Sequence, residues 1–284
     1  HSKLEPYRWA IKNYLSQGKC SDEFAAYYID QFWRTSCAGF NMNHHQLTNH
    51  DFFVARRGFF FDLSPWEDEA TDDPSQPTGT DYQTLCELLS QAHRLRDGKA
   101  PGYIGGFPAW AYKYTTHVGG QHQDVATEWH FAELISRYLT FKDADAIGYG
   151  AMANASFWQH FPLRSRYRQP WTTTRRLRQQ GYLLADDEVD TSRNYVTIYV
   201  GDFDASSWIT QRMPDLWEDT ARGQLPMMWC VSPVLAERAP MVLHYLRTSA
   251  SPNDYFAAAD NGAGYLMPGI VEAEGSEGDI NVWE

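Results

Sequence analysis

The feature that most constrains this chain is its alternation. Six short runs rich in β-formers each give way to a polar loop and then to a stretch of helical or loop character. The runs are "RGFFFDL" (57–63), "PGYIGGF" (101–107), "DAIGYGAMAN" (145–154), "YVTIYV" (195–200), "LPMMWCV" (225–231) and "DYFAAAD" (254–260). Tyr195 to Val200 shows no polar/apolar alternation, the pattern of a strand covered on both faces. Strand and helix in repeated succession imply a parallel sheet with right-handed crossovers. The expected class is therefore α/β, with a (β/α) barrel-like parallel sheet, irregular or incomplete, as the leading architecture. A doubly wound open sheet is the alternative.

Local signals punctuate this pattern. Thr80-x-x-Gln83 forms a capping box that opens a helix running toward Gly98. "TEWHFAELISRYL" (127–139) is a second helix, and an Arg-rich stretch occupies 164–180. Ser232 is placed to cap a helix with Pro233 in its first turn, and Pro240 should kink or split it. One catalytic α/β domain over 1–284 is expected, with a helical or loop lead-in at 1–50 and an acidic tail at 271–284. The polar opening without a signal peptide suits a processed chain or a fragment of a longer multidomain protein.

Composition narrows the function classes. At 43% hydrophobic residues the chain has material for a full core. Its net charge of −12 repels phosphate backbones and anionic lipid, so nucleic-acid and membrane partners are not expected. No apolar run reaches the length of a membrane span. Aromatics are 15% of the chain, including 11 Trp, and indole faces suit the apolar faces of sugar rings. Cys20, Cys37, Cys86 and Cys230 lack Cys-x-x-Cys spacing. Cys20 and Cys37 would pair by a disulfide in an exported protein, and buried thiols are the alternative.

Open α/β sheets and barrels place chemistry at the C-terminal ends of their strands. Those ends carry Asp62 and Trp66; Trp110, Lys113 and Tyr114; Asn154; Asp202 and Asp204; Ser232; and Asn261 with Tyr265. Asp202 and Asp204 are the sharpest pair, since positions i and i+2 of an extended backbone share a side, roughly 6.6 Å apart. Capping of the next helix by Asp204, through Ser206 and Ser207, is the plain alternative. Asp62 follows three Phe residues, where a carboxylate needs a cleft or an ion pair, with Arg56 or Arg57 the expected partner. Glu128 sits early in its helix, where the dipole favours it and where it also remains a candidate acid. Lys113 lies among Trp110, Tyr112 and Tyr114, suited to a substrate hydroxyl or to a cation–π contact.

"NGAGYLMP" (261–268) adds a family signature. Gly262-Ala263-Gly264-Tyr265-Leu266-Met267-Pro268 resembles the motif of the GxGYxYP family, whose implied activity is glycoside hydrolysis, with Met267 at the second Tyr. "FFFDLSPWEDEATDDP", "GGFPAWAYKYT", "ANASFWQHFPL" and the Asp-x-Asp strand end are similar to the same family, so the likeness runs from about residue 50 to 268. Phe203-Asp204-Ala205 stands where the family pattern has Gly-Asp-Asn. The resemblance implies a bacterial carbohydrate-active enzyme, secreted or periplasmic, with members that carry further N-terminal domains.

Glycoside hydrolysis needs one protonated and one ionised carboxyl. Asp202, Asp204, Asp62 and Glu128 are the candidates, with Trp66, Trp110, Lys113, Tyr114, Asn154, Asn261 and Tyr265 as the sugar-binding set. An oligosaccharide or polysaccharide is the expected substrate, and no cofactor or metal is required. A metal-dependent carbohydrate deacetylase is the first rival, with Asp202, Asp204 and one of His117, His122 or His160 as ligands. A non-catalytic glycan-binding module is the second.

Overall fold

The computed structural model describes residues 2–27, 50–71, 73–106, 116, 120–142, 154–168, 173–201, 206–258 and 264–273. The first half builds a four-stranded sheet. Its elements are α1 (Leu4–Asn13), β1 (Phe24–Tyr27), α2 (His50–Ala55), β2 (Phe59–Phe61), α3 (Thr80–Leu95), β3 (Gly102–Gly105), α4 (Asp124–Ser136) and β4 (Thr140–Lys142). The strands run in the order β2-β1-β3-β4, all parallel.

The parallel α/β class is as expected, and the described residues do not show a full barrel. In a (β/α) barrel successive strands are neighbours round the ring, whereas here β1 lies between β2 and β3. The reversal at β1 belongs to a doubly wound open sheet. Side-chain alternation shows how both faces are covered. Tyr27, Phe59, Phe61 and Ile104 point to one side, against Leu4 and Ile11 of α1, Leu85, Leu88 and Leu89 of α3, and Phe131, Leu134 and Ile135 of α4. Ala26 and Tyr103 point to the other, against Phe52 and Phe53 of α2. Each fully buried large apolar side chain contributes about 1.5–3 kcal/mol, so a sheet covered twice is well supported despite strands of three or four residues.

The second half adds α5 (Ala155–Trp158), α6 (Thr174–Gln179), β5 (Tyr199–Val200), α7 (Ser206–Trp217), β6 (Met227–Val231), α8 (Leu235–Arg238), α9 (Pro240–Thr248), β7 (Asp254–Ala258) and α10 (Pro268–Ala273). β5, β6 and β7 form a parallel three-stranded sheet in that order. Its core holds Ile209, Met213, Trp217, Trp229, Val231, Leu235 and Leu246. Side chains of the second half reach into the first sheet. Val234, just before α8, packs into the α2 side of the first sheet. Arg238, fully buried, donates from Nη1 to the Tyr103 hydroxyl at 3.0 Å.

Several local expectations change. Among the described residues the run 195–200 is a strand only at its last two residues, at the edge of its sheet, and Val196 is 87% exposed. It is not covered on both faces. Gly79 rather than Thr80 caps α3, because the Thr80 hydroxyl turns back to the Pro77 carbonyl. α8 begins at Leu235, with Val234 and not Ser232 as its cap. Pro240 splits the helix as expected, ending α8 and taking the first turn of α9. The run 145–153 lies outside the described residues, and the strand present there is β4, just before it. Cys20, Cys86 and Cys230 are free thiols, and Cys37 lies outside the described residues. Among the described residues no helix is long and apolar enough to cross a membrane.

Candidate active site

Segments that follow different strands meet at the C-terminal end of β4. The residue that organises them is Lys142, the last of that strand. Its side chain is fully buried and its ammonium lies 3.8 Å from Glu128 Oε1, in the early part of α4. The same ammonium sits over the Tyr265 ring, 4.4 Å from the centroid. An ammonium buried here is stabilised by a carboxylate on one side and a ring quadrupole on the other.

The backbone of the motif is fastened to the same residue. Lys142 N donates to Tyr265 O at 3.2 Å, and Tyr265 N donates to Lys142 O at 2.7 Å. Gly264 makes the approach sterically feasible. A Cβ at that position would stand 2.4 Å from the Lys142 carbonyl oxygen and 2.9 Å from the Phe141 ring. The second glycine of the motif is thus there to let its chain lie against β4. Two residues on, Met267 N donates to Ser136 Oγ at 2.9 Å, which pins the motif to the end of α4 as well.

The loop after β2 supplies the adjoining wall. Trp66 Nε1 donates to Thr127 Oγ1 at 3.1 Å, next to Glu128. The indole stacks on His122 at 3.5 Å and on His130 at 4.0 Å between ring centroids, both nearly parallel. His122 Nε2 lies 2.9 Å from Asp68 and 3.6 Å from Glu69, while His130 Nε2 meets the Pro65 carbonyl at 2.8 Å. Glu69 also accepts from Gln121 N at 2.8 Å. These contacts lock the 62–79 loop onto the start of α4.

Of the sequence-derived candidates, Glu128, Tyr265 and Trp66 are brought together here. Trp66 presents its ring to two imidazoles, so its faces are engaged by the protein itself. Asp62 is held elsewhere, by α1 and the residue before it: Tyr7 donates to its Oδ1 at 2.5 Å and Lys3 Nζ lies 3.4 Å away. Burial and the Asp62 charge both push the Tyr7 phenol well above its ordinary pKa, burial being the larger cause. The partner of Asp62 is therefore Lys3 and not Arg56 or Arg57. Arg56 instead lies over the Phe24 and Phe52 rings, and Arg57 reaches the Gly18 carbonyl. Asn154 is exposed and adopts a left-handed backbone (φ 61°) as the residue that starts α5. Asp202, Asp204, Trp110, Lys113, Tyr114 and Asn261 lie outside the described residues. So does His117, while His160 is exposed. Lys142 was missed by sequence reasoning, although a lysine closing the apolar run "YLTF" was a visible signal.

The tie between Lys142 and the glycine–tyrosine pair places the signature at this junction. Residues 192–278 match a known family. Its model is described as "GxGYxYP putative glycoside hydrolase C-terminal domain". The GxGYxYP match starts further along than the resemblance beginning near residue 50, and it includes both the Asp-x-Asp strand end and the Tyr265 motif. A crystal structure of "a putative hydrolase from Bacteroides thetaiotaomicron VPI-5482" has a similar fold, with TM-score 0.56 at 18% identity over 93% of this chain. The chain spans 39% of that protein's length. No curated protein matches the chain.

Proposed function

We propose that the chain is the catalytic part of a carbohydrate-active hydrolase that cleaves glycosidic bonds at the β4 junction. The observation that carries this reading is the contact of the GxGYxYP motif with the Lys142–Glu128 pair. A carboxylate beside a buried ammonium is favoured in its charged form. Glu128 then serves as the ionised carboxyl of the pair that glycoside hydrolysis requires, as nucleophile or as base. Asp202 or Asp204, within the matched segment, provides the protonated partner. An oligosaccharide or polysaccharide is the substrate.

A screen against a polysaccharide panel, read by reducing-end release, tests this. Glu128→Gln keeps the shape of the side chain and removes its charge, so turnover should fall by two or more orders of magnitude, with a lower denaturation midpoint from the buried Lys142 and a native circular dichroism spectrum retained. Asp202→Asn and Asp204→Asn separate the second carboxyl. Wild-type turnover in Glu128→Gln would move this residue from catalysis to structure. The deacetylase reading is tested in the same panel by acetate release and its loss on chelation. Among the described residues, no group of three His, Cys, Asp or Glu side chains is placed to hold a metal ion.

A further inference from the structure

One stretch of the chain contradicts its overall charge. From Ala146 to Ala185 there is no Asp or Glu, where the chain average of 36 in 284 would place about five. The same stretch holds six arginines, a quarter of the 24 basic residues. Arg164, Arg166, Arg168 and Arg175 are exposed. Their guanidinium groups make no ion pair or hydrogen bond with the described residues; Arg178, by contrast, is neutralised by Asp187. Four exposed guanidiniums within twelve residues of an acidic chain, with no partner among the described residues, favour an anion as counter-charge.

The segment 164–168 is also held in place. Arg164 N donates to the Tyr167 hydroxyl at 3.1 Å, and that hydroxyl shares a 2.8 Å hydrogen bond with His244 Nδ1 of α9. Arg247, one turn along α9, lies 6.0 Å from the Tyr167 ring centroid. Tyr167 is thus a peg that fixes the backbone between Arg166 and Arg168 while their side chains stay in solvent. Phe157 (68% exposed) and Tyr182 (45% exposed) are exposed aromatic residues that flank the arginines in the sequence.

We propose that this surface binds an anionic glycan, one bearing carboxylate or sulfate groups. Guanidinium forks match both groups in planar, two-point hydrogen bonds, and exposed aromatic rings suit the apolar faces of sugars. The choice of glycan leans on the carbohydrate reading of the β4 junction. The surface itself uses none of that junction's residues.

Affinity electrophoresis tests the proposal with polygalacturonate, heparin or neutral dextran cast in the gel, and with duplex DNA in a parallel shift assay. The wild-type protein should be slowed by at least one anionic glycan and not by dextran. Raising the salt from about 50 to about 200 mM should weaken the effect, as for other guanidinium–polyanion contacts. Polygalacturonate alone would assign the surface to carboxylates, heparin alone to sulfates. The variant Arg164→Ser/Arg166→Ser/Arg168→Ser/Arg175→Ser, all at exposed positions, should lose at least tenfold in affinity with an unchanged circular dichroism spectrum. Glu128→Gln should bind as wild type, which separates failure of this surface from failure of the hydrolase reading. No retardation of wild type, equal retardation of the four-fold variant, or tighter binding of DNA than of either glycan would overturn the proposal.

Discussion

Gly264 shows how much a single missing side chain decides. Its Cβ would collide with the Lys142 carbonyl oxygen, and backbone, unlike the tip of a flexible side chain, cannot swing away. Gly264→Ala must therefore open the Lys142–Tyr265 bridge or push β4 aside, at a cost of about 1–3 kcal/mol. Chemical denaturation should show that loss, and whatever turnover the panel finds should fall with it. Gly269→Ala is the matched control, since nothing lies within 4 Å of its Cβ position. In a helix that change is neutral or stabilising by up to about 1 kcal/mol. Equal stability of the two variants would mean that the motif does not lean on β4. The motif was legible in the sequence, because glycines beside a tyrosine stand out. Its partner was not. Lys142 comes more than a hundred residues earlier, and only the fold brings it under the Tyr265 ring. Asp62 failed in the opposite way: the need for a partner was legible, but Lys3, just before α1, was not, because residues 1–50 read as a lead-in with no place in the sheet.

At the scale of elements, α3 carries a pH-dependent contact of its own. Tyr82 and Cys86 share one side of α3 with Tyr138, just past α4. Burial, followed by the neighbouring Cys86, pushes both phenols up to about 12 and burial raises the Cys86 thiol as well. A group whose folded pKa is raised contributes fully below its unfolded value, and that contribution is lost as pH rises through the folded one. The window here is about pH 10 to about pH 12, where the unfolded phenols ionise first. The denaturant midpoint should drop on going from pH 9 into that window, and Tyr82→Phe/Tyr138→Phe should flatten the drop. An unchanged slope in the double variant would assign the alkaline loss to other groups. Elements such as α3 were legible because a 16-residue amphipathic helix announces itself over four turns. β1 was not. "FAAY" has two alanines and four residues, too little for a strand signal, and it becomes a strand because β2 and β3 flank it. That one missing element turned the strand order of the first sheet from reversed to sequential, which is why a barrel was the leading expectation.

Across the whole molecule, the two sheets are joined by ties of different kinds, and their coupling is measurable. The Lys142–Tyr265 bridge links β4 to the motif, while Arg238 crosses from α8 to Tyr103 in β3 and lies over the Phe53 ring at 5.6 Å. Arg238 is 0% exposed, so its charge needs partners, and the first sheet supplies the Tyr103 hydroxyl and the Phe53 ring. Tyr103→Phe removes one acceptor from that buried guanidinium and should cost about 1–3 kcal/mol. Arg238→Met fills similar volume without the charge and should cost less than the loss of the hydrogen bond alone implies, because the desolvation penalty goes with it. Once Arg238 is Met, the further change Tyr103→Phe should be nearly silent. The coupling energy of the cycle should then reach about 0.5–3 kcal/mol. Tryptophan fluorescence, dominated in the second sheet by the buried Trp217 and Trp229, should report the same transition as far-UV circular dichroism, which averages over both sheets. Additive single effects, together with a fluorescence transition that separates from the dichroism one, would mean that each sheet folds on its own and that Arg238 is a local contact. Coincident transitions with a coupled cycle would make Tyr103 and Arg238 part of what holds β4 and the GxGYxYP motif within reach of each other.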